Sequence, residues 1–124
     1  MAYRVSKSRF DELIDEAIAS LPSPFRQKLD DICIQVCDRT GDAPAHGGRR
    51  PTSLLGLYVG RARTRRHVED SGALSDVIYL FQEELQRVSN NEQELREQVR
   101  ITVLHEIGHH FGLNEGELKE LGYG

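Results

Sequence analysis

Two histidines four residues apart, with a glutamate directly after the first, are the residues of this chain best suited to chemistry. They lie in H-E-I-G-H-H-F-G-L-N-E, residues 105–115. In a helix, His105 and His109 stand one turn apart on one face, so both imidazoles reach a single cation. Glu106 is rotated ~100° from His105, and can touch a water on that cation without ligating the cation itself. Neutral imidazoles suit zinc, which lowers the pKa of a bound water to about 7, where a neighbouring carboxylate takes the proton. The segment reads as a hydrolytic metal site, with His105 and His109 as ligands and Glu106 as general base.

A catalytic zinc keeps three protein ligands and one open position. The acids that follow His109 are Glu115, Glu117 and Glu120. Gly112 can adopt positive φ and reverse the chain, which brings Glu115 into range. Glu115 is therefore the favoured third ligand, with Glu117 and Glu120 as its competitors. The spacing H-E-x-x-H-x-x-G-x-x-E follows the metzincin layout with Glu in place of the third His. Metzincins carry a Met-turn, and the one methionine here is Met1, so the chain is not a metzincin.

Positioning these residues requires a framework, and the apolar pattern supplies one. Asn91 caps a long helix with Glu94 as its partner, and Leu95, Val99, Val103, Ile107 and Phe111 step by four along it as a core stripe. Ile101 and Leu104 add apolar surface on other sides, so the histidine face is expected to line a cleft. Gly112 is the natural stop. An N-terminal helix begins at a Ser8 cap with Asp11 completing a capping box, and presents Phe10, Leu13, Ile14, Ala17, Ile18 and Leu21 on one face. Pro22 and Pro24 end it, and Ser23-Pro24 starts a short second helix. Ile32, Ile34 and Val36 alternate as a strand, LLGLYVG (54–60) is a strand interrupted by Gly56, and VIYLF (77–81) is the most strand-like segment. Between them, 38–53 and 61–75 read as polar loops. The expected fold is α+β, one domain over 1–124.

Four stretches in order resemble the small bacterial zincin-like metallopeptidases, also called minimal metalloproteases. They are FDELIDEAIASLP (10–22), LLGLYVG (54–60), the strand SDVIYLFQEEL (75–85) and LREQVRITVLHEIGHHFGLNEGEL (95–118). The resemblance implies a compact minimal zincin in which a small sheet packs on the motif helix and an N-terminal helix. It also implies zinc held by His105, His109 and an acid after the glycine, at the position of Glu115, where the family pattern often has Asp. The implied activity is peptide-bond hydrolysis on a peptide or protein substrate. Two alternatives stay open: a metal-dependent ribonuclease, similar in layout to the bacterial rRNA-maturation enzymes with H-G-x-x-H-x-x-G-x-D-H, and a non-catalytic zinc-binding adaptor that kept the motif.

The remaining signals are weaker. The chain has 124 residues, 38% of them hydrophobic, and a formal charge of −4, an ordinary globular composition and no overall basic footprint for nucleic acid. No apolar run approaches the ~20 residues of a membrane span, and the charged N-terminus lacks a signal-peptide core, so a cytoplasmic location is expected. Arg49, Arg50, Arg61, Arg63, Arg65 and Arg66 cluster with no intervening acid. They form either a basic rim for an acidic substrate or RNA, or two solvated loops, and the second reading predicts no nucleic-acid partner. Tyr58 and Tyr123 are candidates for an oxyanion donor, though such a Tyr more often packs. His46, His67 and His110 read as structural or solvent-facing, and Glu83, Glu84, Glu92, Glu94 and Glu97 as a wet helix surface. Cys33 and Cys37 lie ~13 Å apart along a strand, too far to bridge, and are expected as two buried free thiols.

Overall fold

Ser6 starts the first helix, α1 (Lys7–Ala19), because its extended backbone (φ −66°, ψ 161°) lets its Oγ accept the Arg9 N–H at 3.1 Å. The expected cap at Ser8 is thus two residues late. The chain entering α1 is fixed upstream: Val5 N–H donates to Gln86 Oε1 at 2.8 Å, so the helical turn closes before the apolar stripe begins at Phe10. The computed structural model describes residues 2–39, 55–60, 76–110 and 116, with His109 and His110 described by their backbone. Both expected polar loops, apart from 38 and 39, and the segment after His110, apart from residue 116, lie outside the described residues.

After α1 come α2 (Ser23–Lys28) and a 3-10 turn (Leu29–Asp31). Pro22, not Ser23, occupies the cap of α2. Strands β1 (Ile32–Cys37), β2 (Gly56–Val59) and β3 (Asp76–Phe81) follow, then α3 (Gln82–Arg87) and α4 (Glu92–His110). The sheet order is β1-β3-β2, with β1 parallel to β3 (Ile34 opposite Ile78) and β2 antiparallel to it (Tyr58 opposite Ile78). A central strand is covered on both faces, which is why Val77 through Phe81 are all buried. The α+β expectation holds.

The sheet separates two apolar clusters by the period of two. Ile78 and Leu80, flanked by Ile32, Ile34, Val36 and Tyr58, join α1 and α4 in the main core. Val77, Tyr79 and Phe81, with Cys37, Leu57 and Val59, form a cluster on the opposite face. Cys33 belongs to that second face near the edge of the sheet, so it is exposed, and Cys37 is partly so. Neither cysteine forms a disulfide, and neither thiol is buried.

Helix α4 carries the motif through the core. Leu95, Val99, Val103 and Ile107 are each at most 1% exposed, and full burial of such a side chain contributes about 1.5–3 kcal/mol. Asn91 Oδ1 accepts the Glu94 N–H at 2.8 Å, while Glu94 Oε1 accepts the Asn90 N–H at 2.9 Å. The reciprocal cap expected there is present, shifted by one residue on one arm. Phe111, the last member of the expected stripe, lies outside the described residues.

The segment 75–85, expected as one strand, breaks at Phe81. Gln82, Leu85 and Gln86 recur at helical spacing and are buried, and the two glutamines serve the N-terminal segment. Gln82 Nε2 donates to Val5 O (3.2 Å), and Tyr3 N–H donates to the carbonyls of Gln86 and Ser89 (3.0 Å each). The acidic surface is also more engaged than expected. Glu83 pairs with Arg4 at 2.7 Å and Glu97 with Arg100 at 3.0 Å. Glu92 accepts from both Arg9 and Arg96, which also share Glu16, so two arginines and two glutamates tie α1 to α4. The hydrogen bond from Arg9, opposed in part by desolvation, holds the Glu92 carboxyl below the usual glutamate range. Arg4 does the same to Glu83.

Candidate metal centre and its general base

The last two turns of α4 present His105, Glu106 and His109. Leu104 and Ile107, at 0% exposure, anchor these turns on either side of the His-Glu pair. His105 itself is half-buried, and its Nε2 is sealed from solvent. An imidazole nitrogen held away from bulk water is a donor of the type zinc takes. Among the described residues no group of three or more His, Cys, Asp or Glu side chains converges on one point. Of the three expected ligands, His105 is the one whose side chain is described. His109 is placed by its backbone one turn further along α4, and Glu115, like its competitors Glu117 and Glu120, lies outside the described residues.

Glu106 is oriented by the sheet. Its Oε1 accepts the backbone N–H of Tyr58 at 2.8 Å. Phe81 N–H donates to Leu55 O at 3.1 Å, which puts residues 55 and 57 of the β2 side in the hydrogen-bonded pairs with β3. The alternation of an antiparallel ladder then turns the amides of Gly56 and Tyr58 away from β3. Glu106 thus satisfies an amide at the sheet edge, and a hydrogen bond to a carboxylate is about twice as strong as a neutral one. The contact directs the carboxylate toward the edge of β2, while His105 stands ~100° away around the helix.

The same tyrosine has a second tie. Its hydroxyl donates to Asp76 Oδ2 at 2.8 Å, joining β2 to the first residue of β3. The sequence offers Tyr58 as an oxyanion donor, and in this structure Asp76 takes that hydroxyl. Sequence reasoning overlooked both Asp76 and the Tyr58 amide. Asp76 had a faint signal, an acid at the head of an apolar strand, but a backbone amide has no side-chain signature at all. Tyr123, His46, His67 and all six clustered arginines lie outside the described residues, and His110 is described by its backbone.

The sequence model of the zincin-like metallopeptidase family matches residues 29–124. Among solved structures, a conserved hypothetical protein from Thermo thermophilus is similar, with a TM-score of 0.55 and 22% sequence identity. The likeness covers 94% of this chain and 97% of that chain, and at this identity it speaks for the fold alone. No match was found among curated proteins.

Proposed function

This chain belongs to the zincin-like metallopeptidase family, and we propose that it is a zinc-dependent hydrolase that cleaves peptide bonds. The observation that carries the reading is the pair at 105 and 106. A His nitrogen sealed from solvent stands beside a glutamate whose carboxylate is held by the Tyr58 amide. His105, His109 and Glu115 would hold the metal. Zinc, when bound, acidifies water and polarises a carbonyl. Glu106 takes the proton that the attacking water releases and returns it to the leaving amine. With one carboxylate oxygen accepting from Tyr58, the side chain enters the reaction already oriented, so little rotamer freedom is lost at that step. The substrate is a peptide or protein, and a cytoplasmic setting is consistent with the reading.

The test separates the two roles. Purified protein should keep one zinc per chain through dialysis. Glu106→Gln should retain that zinc while losing hydrolysis of a mixed peptide library by at least ~100-fold, the scale of a lost general base. His109→Ala should lose both. Parallel loss of zinc and activity in Glu106→Gln would mean that Glu106 is a ligand, and a parent protein without zinc would end the metallopeptidase reading.

A further inference from the structure

Gly56 lies where β2 meets α4. A Cβ built on it would sit 2.6 Å from Thr102 Cγ2 and 3.2 Å from the Tyr79 carbonyl oxygen. The first distance is far inside van der Waals contact, so β2 reaches this close to the helix because residue 56 has no side chain. Thr102 is 6% exposed and β-branched, which leaves it few rotamers to retreat into.

The contact is in register with the one that orients Glu106. Tyr58 follows Gly56 by two strand residues, a rise of ~6.6 Å. Glu106 follows Thr102 by four helix residues, a rise of ~6 Å. Strand and helix therefore advance together, and the separation set at Gly56–Thr102 carries to Tyr58–Glu106. We infer that Gly56 is a positioning residue for Glu106: it seats β2 directly on Thr102, and so sets the distance at which the Tyr58 N–H holds the carboxylate. Restoring ordinary contact to a Cβ at 56 requires a displacement of about 0.8 Å or more. A shift of that size tilts and lengthens the 2.8 Å hydrogen bond, and so far as it runs along the bond it carries the distance toward roughly 3.6 Å, where it no longer counts as one. The consequence for hydrolysis rests on the role proposed above for Glu106, but the positioning itself does not.

The experiment follows the Tyr58 amide by 15N–1H NMR in the full chain. Glu106→Gln supplies the reference, since a neutral acceptor should move the Tyr58 proton upfield. Gly56→Ala should move it in the same direction and raise its hydrogen exchange by ~10-fold or more. Thr102→Ala alone should leave the amide at the parent position. Gly56→Ala with Thr102→Ala, which removes the clashing methyl and leaves the milder 3.2 Å approach to the Tyr79 carbonyl, should return it most of the way to the parent position. A folded Gly56→Ala with an unmoved Tyr58 amide overturns the inference, as does a Glu106→Gln that leaves that amide unchanged. Should Gly56→Ala fail to fold, the double variant decides: a folded protein with the amide near the parent position supports the spacer, and an unfolded one, or one shifted as far as Glu106→Gln, refutes it. Peptide hydrolysis retained by Glu106→Gln, with the amide pattern as expected, would sink the proposed function and leave the positioning intact.

Discussion

His105 and Glu106 are neighbours in sequence with different surroundings. The imidazole turns its Nε2 out of solvent, and the carboxylate turns to the edge of β2. In the proposed site that divergence would let one residue bind a metal while the next moves protons, and the ~100° step between helix neighbours produces it. The third ligand is a question at the same scale. In the proposed site an acid beyond Gly112 completes the ligand set, and Glu115 is the first acid that follows in the sequence. If helix resumes near Asn114, Glu117 is rotated ~200° from Glu115. Removing a residue that merely orients a metal ligand already costs about 10–100-fold in affinity, so Glu115→Ala should weaken zinc binding by at least ~10-fold. Glu117→Ala should be near neutral, and Glu115→Asp should keep the metal. Competition with a chromogenic chelator measures all three. Parent-like affinity in Glu115→Ala with a loss in Glu117→Ala would reassign the ligand.

At the scale of elements, α4 was legible because a four-residue apolar stripe and an Asn-x-x-Glu cap both mark it. The strand β3 was legible because five apolar residues in a row suit a strand covered on both faces. What escaped depends on contacts distant in sequence. The cap at Ser6 follows from Val5 being tied to Gln86, and the break after Phe81 from glutamines that serve the N-terminal segment. The orientation of Glu106 depends on a backbone amide, and the close approach of β2 to α4 depends on residue 56 having no side chain opposite Thr102. The α1–α4 tie is likewise non-local and open to test. Arg9 faces Glu12, Glu16 and Glu92, and Arg96 faces Glu16 and Glu92. The folded Glu92 carboxyl titrates below its ordinary value, which is about 4.3 for a glutamate. Its contribution is therefore complete above that pH and disappears as pH falls through the lower folded value. Arg9→Ala should lower Tm near neutral pH by a few degrees at most, since exposed pairs are individually weak. The gap from the parent should narrow as the pH falls below the ordinary glutamate value and the Glu92 carboxylate is protonated. A gap in Tm that persists at low pH would show that Arg9 acts through packing of its stem and not through Glu92.

The molecule as a whole is acidic, with 16 Lys and Arg against 20 Asp and Glu. Six of those cations are crowded between residues 49 and 66, so ten others face all twenty acids over the rest of the chain. Such an uneven distribution admits a local basic rim on a protein with no general attraction for polyanions, and it is what keeps a ribonuclease reading testable. The motif leans the other way: Glu106 stands where the rRNA-maturation pattern has Gly, and no third His follows at the matching place. For single strands, each phosphate neutralised contributes a slope of about −0.7 in log affinity against log salt. A surface using even four of the arginines on RNA would thus show a slope near −3, and converting Arg61, Arg63 and Arg65 to Ala would flatten it by about two units. The expected result is no measurable binding of single-stranded RNA at physiological salt for the parent or the triple variant, with peptide hydrolysis retained by both. Salt-steep RNA binding that the triple variant loses would make RNA the substrate to test first. Loss of peptide hydrolysis in the triple variant, without any RNA binding, would instead assign the arginines to an acidic part of the peptide.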